Sequence, residues 1–305
     1  MKTFQSYLLE KGLSENTLPA FLQCEGYFKT YLNKQKQVLS NSSYNDVMGF
    51  LRSCQKKGNS KRTQQNYVGI LKHYFSYLKQ QGTIQENTIQ HLVLKGVERE
   101  KIHDIINLEE LEYLLENYPK RSEIVTINQN TTISSAEFRN KIILSLMIYQ
   151  GLSTTDLKHL RVDDVKLREG FVRINGSPRI NERKIPLNPN QILDIQEYIF
   201  CHRTKLSKEN DNAEDYLIIS SFGGANGMTN LLAKLLGEAK KIHPNLQNMN
   251  QLRTCCIQRW LTQYGLRKAQ YLAGHRYVSS TEKYQKNDIE ALQNDIEKFG
   301  LSLEQ

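Results

Sequence analysis

The sequence has no long hydrophobic run. No part of the 305-residue chain approaches the roughly 20 consecutive apolar residues that a membrane-spanning helix needs. Residues 1–6, Met-Lys-Thr-Phe-Gln-Ser, also lack the apolar segment of a secretory signal peptide. We therefore expect a cytoplasmic protein without a membrane partner.

Cysteine is scarce, odd in number and without a metal-binding pattern. None of the five cysteines forms a CxxC pair or the Cys/His spacing of a zinc site. Reduced thiols are therefore favoured over disulfides or zinc. The adjacent Cys255 and Cys256 fall in a predicted helix, where burial as small hydrophobic residues is the simplest interpretation.

Acidic residues are outnumbered, most clearly in the first third of the chain. The sequence has 41 Lys and Arg, 32 Asp and Glu, and a net charge of +9. Residues 1–100 hold 14 of these basic residues against 7 acidic ones. A single exposed lysine needs no functional explanation. An excess concentrated in one region instead favours a face that binds phosphates.

The same basic region has the periodicity of a helical bundle. Apolar residues recur every three or four positions, and turn signals such as Lys57-Gly58-Asn59-Ser60 separate the periodic segments. We predict helices over residues 4–11, 17–32, 44–55 and 62–81. A charged, weakly periodic stretch at residues 96–106 is predicted to be a linker.

A region of mixed structure follows the linker. Asn107, followed by early acidic residues, is predicted to begin a helix. Further helices are predicted over residues 138–151, 154–160, 191–201, 228–241, 252–264 and 268–273. Short strands bounded by glycine turns are predicted over residues 162–165, 171–174 and 183–186.

Three side chains near the end of the chain form an ordered array. Arg253 follows Asn250 by three positions, His275 ends the segment Leu272-Ala-Gly-His, and Tyr284 comes nine residues later. An arginine can bind a phosphate, a histidine can hydrogen-bond its oxygens, and a tyrosine hydroxyl can attack phosphorus. Each residue alone is better explained as an ion pair or a packed side chain. Their joint spacing points to phosphodiester cleavage.

This array resembles the tyrosine recombinases of the phage integrase family. The run Ser279-Ser-Thr-x-x-Tyr284 and the N-terminal string Gly58-Asn-Ser-Lys-Arg-Thr63 carry the resemblance across nearly the whole chain. It implies a mainly α fold with a small β-sheet, in which a helical SAM-like core-binding domain precedes an α+β catalytic domain. We expect the core-binding domain at residues 1–95, the linker at 96–106, the catalytic domain at 107–286 and a C-terminal helix at 287–305.

Four positions depart from the family pattern. The resemblance implies an arginine after the first catalytic-domain helix, where this chain has Ser153. It implies a lysine in the turn between the second and third strands, which aligns with Pro178. Asn250 and Thr254 stand where histidines are usual. Loss of one such arginine can cost about 10³ to 10⁵ in rate.

Basic residues on the predicted hairpin are candidate substitutes. Arg179, Arg183 and Lys184 could reach the scissile phosphate from the side of the missing lysine, and we favour Arg179. Asn250 can still hydrogen-bond an oxygen but carries no charge. Ordinary surface basicity is the alternative for the hairpin residues. The candidate catalytic residues are Tyr284, Arg253, His275, Asn250, Arg179 and Lys184.

Two functions remain open at this point. In the first, Tyr284 attacks DNA and the chain is a site-specific recombinase or integrase, serving a mobile genetic element through a 3′-phosphotyrosyl intermediate. No cofactor is expected, since the covalent bond conserves the phosphoester energy. In the second, a catalytically decayed relative acts as a DNA-binding accessory subunit or architectural partner. Retention of Arg253, His275 and Tyr284 together favours the first. A generic basic helical regulator would explain the charge but not the array.

The expected partners are double-stranded DNA and further recombinase subunits. Ser60, Lys61, Arg62 and Thr63 open a predicted helix, where backbone N–H groups and short hydroxyls suit phosphates. The C-terminal helix either packs on its own domain or is exchanged with a neighbouring protomer, giving a tetramer on paired sites. Its apolar stripe is formed by Ile289, Leu292, Ile296 and Phe299.

Overall fold

The chain divides into two units between Lys101 and Ile102. The structure is a computed structural model and describes residues 2–96, 104–119, 134–177, 180–208, 215–220 and 227–285. None of the helices in these ranges is both long and apolar enough to cross a membrane.

The first unit is a helical bundle. Its helices are α1 (Phe4–Glu10), α2 (Leu18–Lys34), α3 (Tyr44–Lys56) and α4 (Lys61–Gln80). Ser43 and Asp46 form a reciprocal capping box that starts α3. In the core, the ring of Phe28 lies 5.5 Å from that of Phe50 and 5.9 Å from that of Phe75, centroid to centroid. Aromatic side chains therefore build the interior of the basic region, as its helical pattern predicts.

The second unit surrounds a small sheet with helices. Its helices are α5 (Leu108–Glu116), α6 (Ser135–Gln150), α7 (Thr154–His159), α8 (Pro189–Glu197), α9 (Arg203–Lys208), α10 (Gly227–Ile242) and α11 (Met249–Ala273). A π-helical turn, Tyr198–His202, joins α8 to α9. Helix α6 is buried around most of its circumference, with Arg139 and Asn140 among its buried residues, and packs against α11. The packing of α6 against α11 positions the turns that follow the two helices, at Gly151 and at Gly274.

The sheet has three antiparallel strands in the order β1 (Val165–Lys166), β2 (Phe171–Ile174) and β3 (Arg183–Pro186). Val172 pairs with Ile185 and Ile174 pairs with Arg183. Successive side chains of a strand point to opposite faces. Arg183 and Ile185 are accordingly buried, whereas Lys184 and Pro186 are exposed.

The structure differs from the predicted elements at several points. Val162–Asp164 is a tight helical turn, not a strand, because the carboxylate of Asp164 accepts a hydrogen bond from the Arg161 N–H. Helix α11 begins earlier than predicted, since the Asn248 side chain caps it. The two helices predicted at residues 252–264 and 268–273 are both present within α11, and they meet at a kink at Gly265, where φ is 74°.

Parts of the predicted linker and the whole predicted C-terminal helix, residues 287–305, lie outside the described residues. The end of the linker interval packs on α11. The Asp104 carbonyl accepts a hydrogen bond from the Gln251 amide at 2.8 Å, and the Ile106 N–H donates to Cys255 Sγ at 3.3 Å. Cys255 and Cys256 are buried, in agreement with their predicted packing role.

Candidate active site

Arg253 lies on the buried face of α11 and bridges two chain segments. Its Nη1 donates to the carbonyl oxygen of Gly151, where α6 ends. Its Nη2 donates to the Ala273 carbonyl oxygen at 2.7 Å, where α11 ends. The guanidinium is therefore held at the junction of the two central helices.

The turn after α11 carries the predicted Gly-His motif. Gly274 has a left-handed φ of 71°, and its carbonyl oxygen accepts a hydrogen bond from the Asn181 N–H at 2.9 Å. A β-bridge between Ile180 and His275 joins the same segments. A Cβ atom on residue 274 would lie 2.5 Å from Arg183 Nη1, so only glycine fits this turn without displacing the arginine.

His275 and Tyr284 meet on the outer side of this turn. Their rings stack with centroids 5.9 Å apart and an interplanar angle of 14°. The His275 Nδ1 is 2.9 Å from Thr281 Oγ1, which fixes the orientation of the imidazole. Burial, followed by the charges of Arg253, Arg183 and Lys283, lowers the pKa of His275 to about 4. The imidazole is therefore neutral at physiological pH.

Asp156, in the first turn of α7, collects several donors on one carboxylate oxygen. Its Oδ2 accepts hydrogen bonds from Ser153 N and Ser153 Oγ, both at 2.8 Å, and from Arg183 Nη2 at 2.9 Å. Arg253 Nη1 lies 3.8 Å from the same oxygen. Burial alone would raise the pKa of Asp156, but Arg183, Ser153 and Arg253 outweigh it and lower the pKa. The carboxylate is therefore charged.

The structure brings some of the predicted residues together and leaves others apart. Arg253, His275 and Tyr284 share the site. Asn250 is exposed in the first turn of α11, and its carbonyl oxygen accepts a hydrogen bond from the Thr254 hydroxyl. Lys184 is not brought to the site. It lies on the exposed face of β3, with its Nζ 4.9 Å from the centre of the Phe171 ring.

Two predicted positions, Pro178 and Arg179, lie outside the described residues, so the role assigned to Arg179 stays a prediction. The pair formed by Asp156 and Arg183 is the feature that sequence reasoning underrated. The period-two pattern of β3 is the signal that could have found it, because that pattern turns Arg183 inward with Ile185.

The predicted phosphate-binding residues open helix α4 in the first unit. Ser60 caps the helix, accepting a hydrogen bond from Thr63 N at 3.2 Å. Lys61 and Arg62 are exposed in the first helical turn, and no acidic residue accompanies them there. Basic residues at a helix N-terminus oppose the helix dipole, so this arrangement suits an anionic ligand.

Two family models match the chain. The model of the phage integrase family matches residues 118–290, and the model of the phage integrase N-terminal SAM-like domain matches residues 1–82. The chain belongs to the phage integrase family. The resemblance and the fold class predicted from the motifs are therefore confirmed.

Relatives within the integrase family align with most of the chain. The tyrosine recombinase XerD of Listeria innocua is 25% identical over 287 residues, covering 91% of this chain and 90% of that protein. The tyrosine recombinase XerC of Bacillus subtilis is 27% identical over 303 residues, covering 96% and 93%. These homologues identify the chain as a site-specific recombination protein of the tyrosine type.

Solved integrase-family structures share the fold. The XerH recombinase bound to a palindromic difH substrate superposes with a TM-score of 0.66 at 22% identity, covering 88% of this chain and 76% of that one. The Tn1549 transposon integrase in complex with transposon right end DNA gives 0.66 at 14% identity, covering 97% and 98%. A lambda integrase tetramer on a Holliday junction gives 0.64 at 13% identity, covering 92% and 74%.

Proposed function

We propose that the chain is an active recombinase or integrase that cuts and rejoins DNA through Tyr284. The observation that carries the proposal is the stacking of Tyr284 on a neutral His275. Arg253 and Arg183 are close enough to lower the pKa of that histidine. A nucleophile, a hydrogen-bonding imidazole and positive charge are the parts that phosphoryl transfer requires.

The reaction is a transfer between two oxygens. The Tyr284 hydroxyl oxygen bonds to the scissile phosphorus as the bond from phosphorus to the 5′ oxygen breaks. The DNA 3′ end stays on tyrosine, and the proton that Tyr284 loses is balanced by the one the leaving 5′ oxygen gains. Attack by the 5′-hydroxyl of another strand reverses these bonds. One phosphoester is present at every stage, so the reaction needs neither a metal ion nor ATP.

Each remaining residue has an assigned task. Arg253 neutralises charge on the non-bridging oxygens in the transition state. Because Thr281 engages Nδ1 of His275, we assign its Nε2 to a phosphate oxygen or to the leaving oxygen. Asn250 and Arg179 are proposed to assist at the edge of the site, while the exposed position of Lys184 favours DNA backbone contact.

Duplex DNA is the proposed substrate and partner, and the start of α4 is proposed as a phosphate-binding surface. Lys56 and Lys57 are exposed just before it, and Lys61 and Arg62 follow the turn. We call these four residues the basic turn. Their density of positive charge suits the DNA backbone more than base recognition.

A tetramer on paired sites is the proposed assembly. The lambda integrase to which the fold is similar forms a tetramer on a Holliday junction. In this chain the proposed contact is exchange of the helix that the sequence predicts at residues 287–305. Truncation after Lys286 is expected to leave single-site DNA binding intact and abolish the paired-site complex in native gels. Normal higher-order complexes from the truncated chain would contradict the exchange.

An accessory subunit with a decayed site is the second candidate function. The observation that favours it is Ser153, which stands where the family carries an arginine. We propose that the recombinase serves a mobile genetic element. The DNA site that the chain selects would identify that element.

The test uses duplexes selected from a random library by the full chain, then nicked near the candidate cleavage position as suicide substrates. We expect a covalent protein–DNA adduct from the wild type and none from Tyr284→Phe, at equal DNA affinity. Tyr264→Phe, which changes an exposed tyrosine on α11, is the matched control and should still form the adduct. If the wild type binds but forms no adduct, the accessory function replaces the enzymatic one.

A further inference from the structure

Arg183 is a buried arginine that the protein only partly satisfies. Its side chain is 0% exposed and donates from Nη2 to Asp156. Its Nε and Nη1 are buried without a hydrogen-bond partner among the described residues. Leaving donors of a charged group unpaired in the interior is costly. Such an arrangement is expected where a ligand completes the hydrogen bonds.

The side chains around Arg183 carry a net positive charge, which favours binding of an anion. Arg183 and Arg253 both approach the Oδ2 atom of Asp156, at 2.9 Å and 3.8 Å. One carboxylate faces two guanidinium groups, and the neighbouring His275 is neutral. Burial, offset in part by Asp156 and reinforced by Arg253, lowers the pKa of Arg183. A phosphate bound here would balance the remaining positive charge.

Arg183 also stands beside the position where the family pattern is broken. Ser153 Oγ and Arg183 Nη2 are both within hydrogen-bond distance of the same Asp156 oxygen. The absent Cβ of Gly274 admits Arg183 Nη1 from the other side. The Arg183 guanidinium therefore lies close to the place that the side chain of an arginine at position 153 would occupy.

We propose that Arg183 supplies the second guanidinium of the site, binding the scissile phosphodiester through Nε and Nη1 in place of the arginine missing at Ser153. This inference rests on the proposed function. It assigns to Arg183 the charge that the motif lacks, rather than to the exposed Lys184. Access for the phosphate requires the site to open around these two atoms when DNA binds.

A purely structural role is the competing explanation, in which Arg183 only neutralises Asp156. If Arg183 binds the phosphate, its contribution depends on the charge of the phosphate. If it only neutralises Asp156, its contribution does not. A methylphosphonate at the scissile position removes that charge while keeping the DNA shape. We therefore compare wild type, Arg183→Met and Arg183→Lys on the selected duplex with either a phosphodiester or a methylphosphonate at that position.

The first readout is affinity. Wild type is expected to bind the methylphosphonate duplex more weakly than the phosphodiester duplex, whereas Arg183→Met should show a smaller difference between the two duplexes, which Arg253 alone still supplies. Arg183→Lys should recover part of the difference, because it keeps the charge. Each comparison is made within one variant, so a change in stability does not mimic the result. An equal loss on methylphosphonate in wild type and Arg183→Met would overturn the proposal.

The second readout is the rate of adduct formation. Arg183→Met is expected to slow adduct formation on the phosphodiester by roughly 10² to 10³, the cost of removing one preorganised donor. On the methylphosphonate, wild type and Arg183→Met should react alike. A loss of the same size on both substrates would mean a structural role. Arg173→Met, which removes an exposed arginine of β2, is the matched control and should behave as wild type.

The two readouts keep this proposal separate from the proposed function. If wild type forms no adduct on the phosphodiester, the enzymatic function fails, and the affinity comparison alone decides whether Arg183 binds the phosphate. If wild type forms the adduct and the affinity comparison shows no dependence on Arg183, the recombinase function stands and the assignment of Arg183 falls.

Discussion

On one side of the candidate site, α11 and the segment that follows it bring Arg253, His275 and Tyr284 together. This nucleophile side is built from consecutive segments of chain. Both terminal nitrogens of Arg253 donate hydrogen bonds to backbone carbonyl groups. The His275 ring is held by Thr281 and by stacking on Tyr284. Sequence spacing and spatial arrangement therefore agree.

On the other side, Ser153, Asp156 and Arg183 come from the end of α6, from α7 and from β3. This hairpin side departs from the family motif, yet it contains a buried arginine paired with a carboxylate. The comparison teaches that a site assembled from separate elements can lose a charge at one position and receive it from another. A sequence motif gives the position of a residue in the chain, whereas catalysis depends on where its charged group lies in the folded site.

The largest expected effect is on the nucleophile side. Arg253→Ala removes a guanidinium that is assigned to the transition state, and we expect adduct formation to fall by about 10³ to 10⁵. The measurement is single-turnover adduct formation on the nicked duplex. Arg267→Ala changes an exposed arginine of the same helix and should have little effect. If Arg253→Ala reacted as fast as wild type, the nucleophile side would have to be reassigned.

The hairpin side is expected to dominate stability. Asp156→Ala leaves Arg183 buried without its carboxylate, which typically costs about 3 to 5 kcal/mol in the free energy of unfolding. Urea unfolding measures this, with the exposed Asp163→Ala as the matched control. A loss no larger than that of the control would mean that the ion pair contributes nothing to the fold.

The same pair predicts a pH dependence. Because the pKa of Asp156 is lowered in the folded state, its contribution to stability is present above the unfolded pKa of about 3.9. It is lost as the pH falls through the lower folded value. The wild type should therefore lose more stability on acidification across this range than Asp156→Ala. Parallel pH profiles of the two proteins would contradict the assignment.

His275 gives a smaller effect that links the two sides. Its folded pKa of about 4 lies below the ordinary histidine pKa of 6.5, so its contribution to stability is lost as the pH falls from 6.5 towards 4. NMR titration of the imidazole is the measurement. Arg183→Met removes one of the charges that lower this pKa, so the pKa should rise. An unchanged value would mean that the two sides are not electrostatically coupled.

The smallest expected effect is on the basic turn. Replacing Lys61 and Arg62 by alanine should reduce the salt dependence of DNA binding, with the log–log slope falling by about 0.9 for each phosphate that is no longer neutralised. Affinity should fall on all sequences alike. Lys34→Ala with Lys79→Ala removes the same charge from exposed positions elsewhere in the first unit. Equal decreases from both double variants would leave the basic turn without a special role.

Much of the fold was predictable because its signals are local. Helix α4 begins after Ser60 and ends close to the predicted position, since capping and periodicity act over a few residues. The turn at Val162–Asp164 was not predicted, because an aspartate hydrogen bond outweighed the strand preference of valine. Local competition of this kind is decided by one hydrogen bond that composition does not reveal.

The site was predictable on the nucleophile side alone. Arg253, His275 and Tyr284 could be found because their spacing is carried by one continuous stretch of chain. Arg183 and Asp156 are 27 positions apart, and their 2.9 Å hydrogen bond depends on how β3 docks against the Gly274 turn. The period-two pattern of β3 could have indicated that Arg183 points inward, but it could not show that the side chain meets Asp156.

The most direct test of the relocated charge places an arginine at position 153 in two backgrounds. With Arg183 present, Ser153→Arg crowds a third guanidinium against Asp156, so we predict slower adduct formation than in wild type. With Arg183→Met, the same substitution restores the charge, so we predict faster adduct formation than in Arg183→Met alone. Adduct formation that rises when Ser153→Arg is added to the wild type would contradict the account, because the site would then still lack the charge assigned to Arg183.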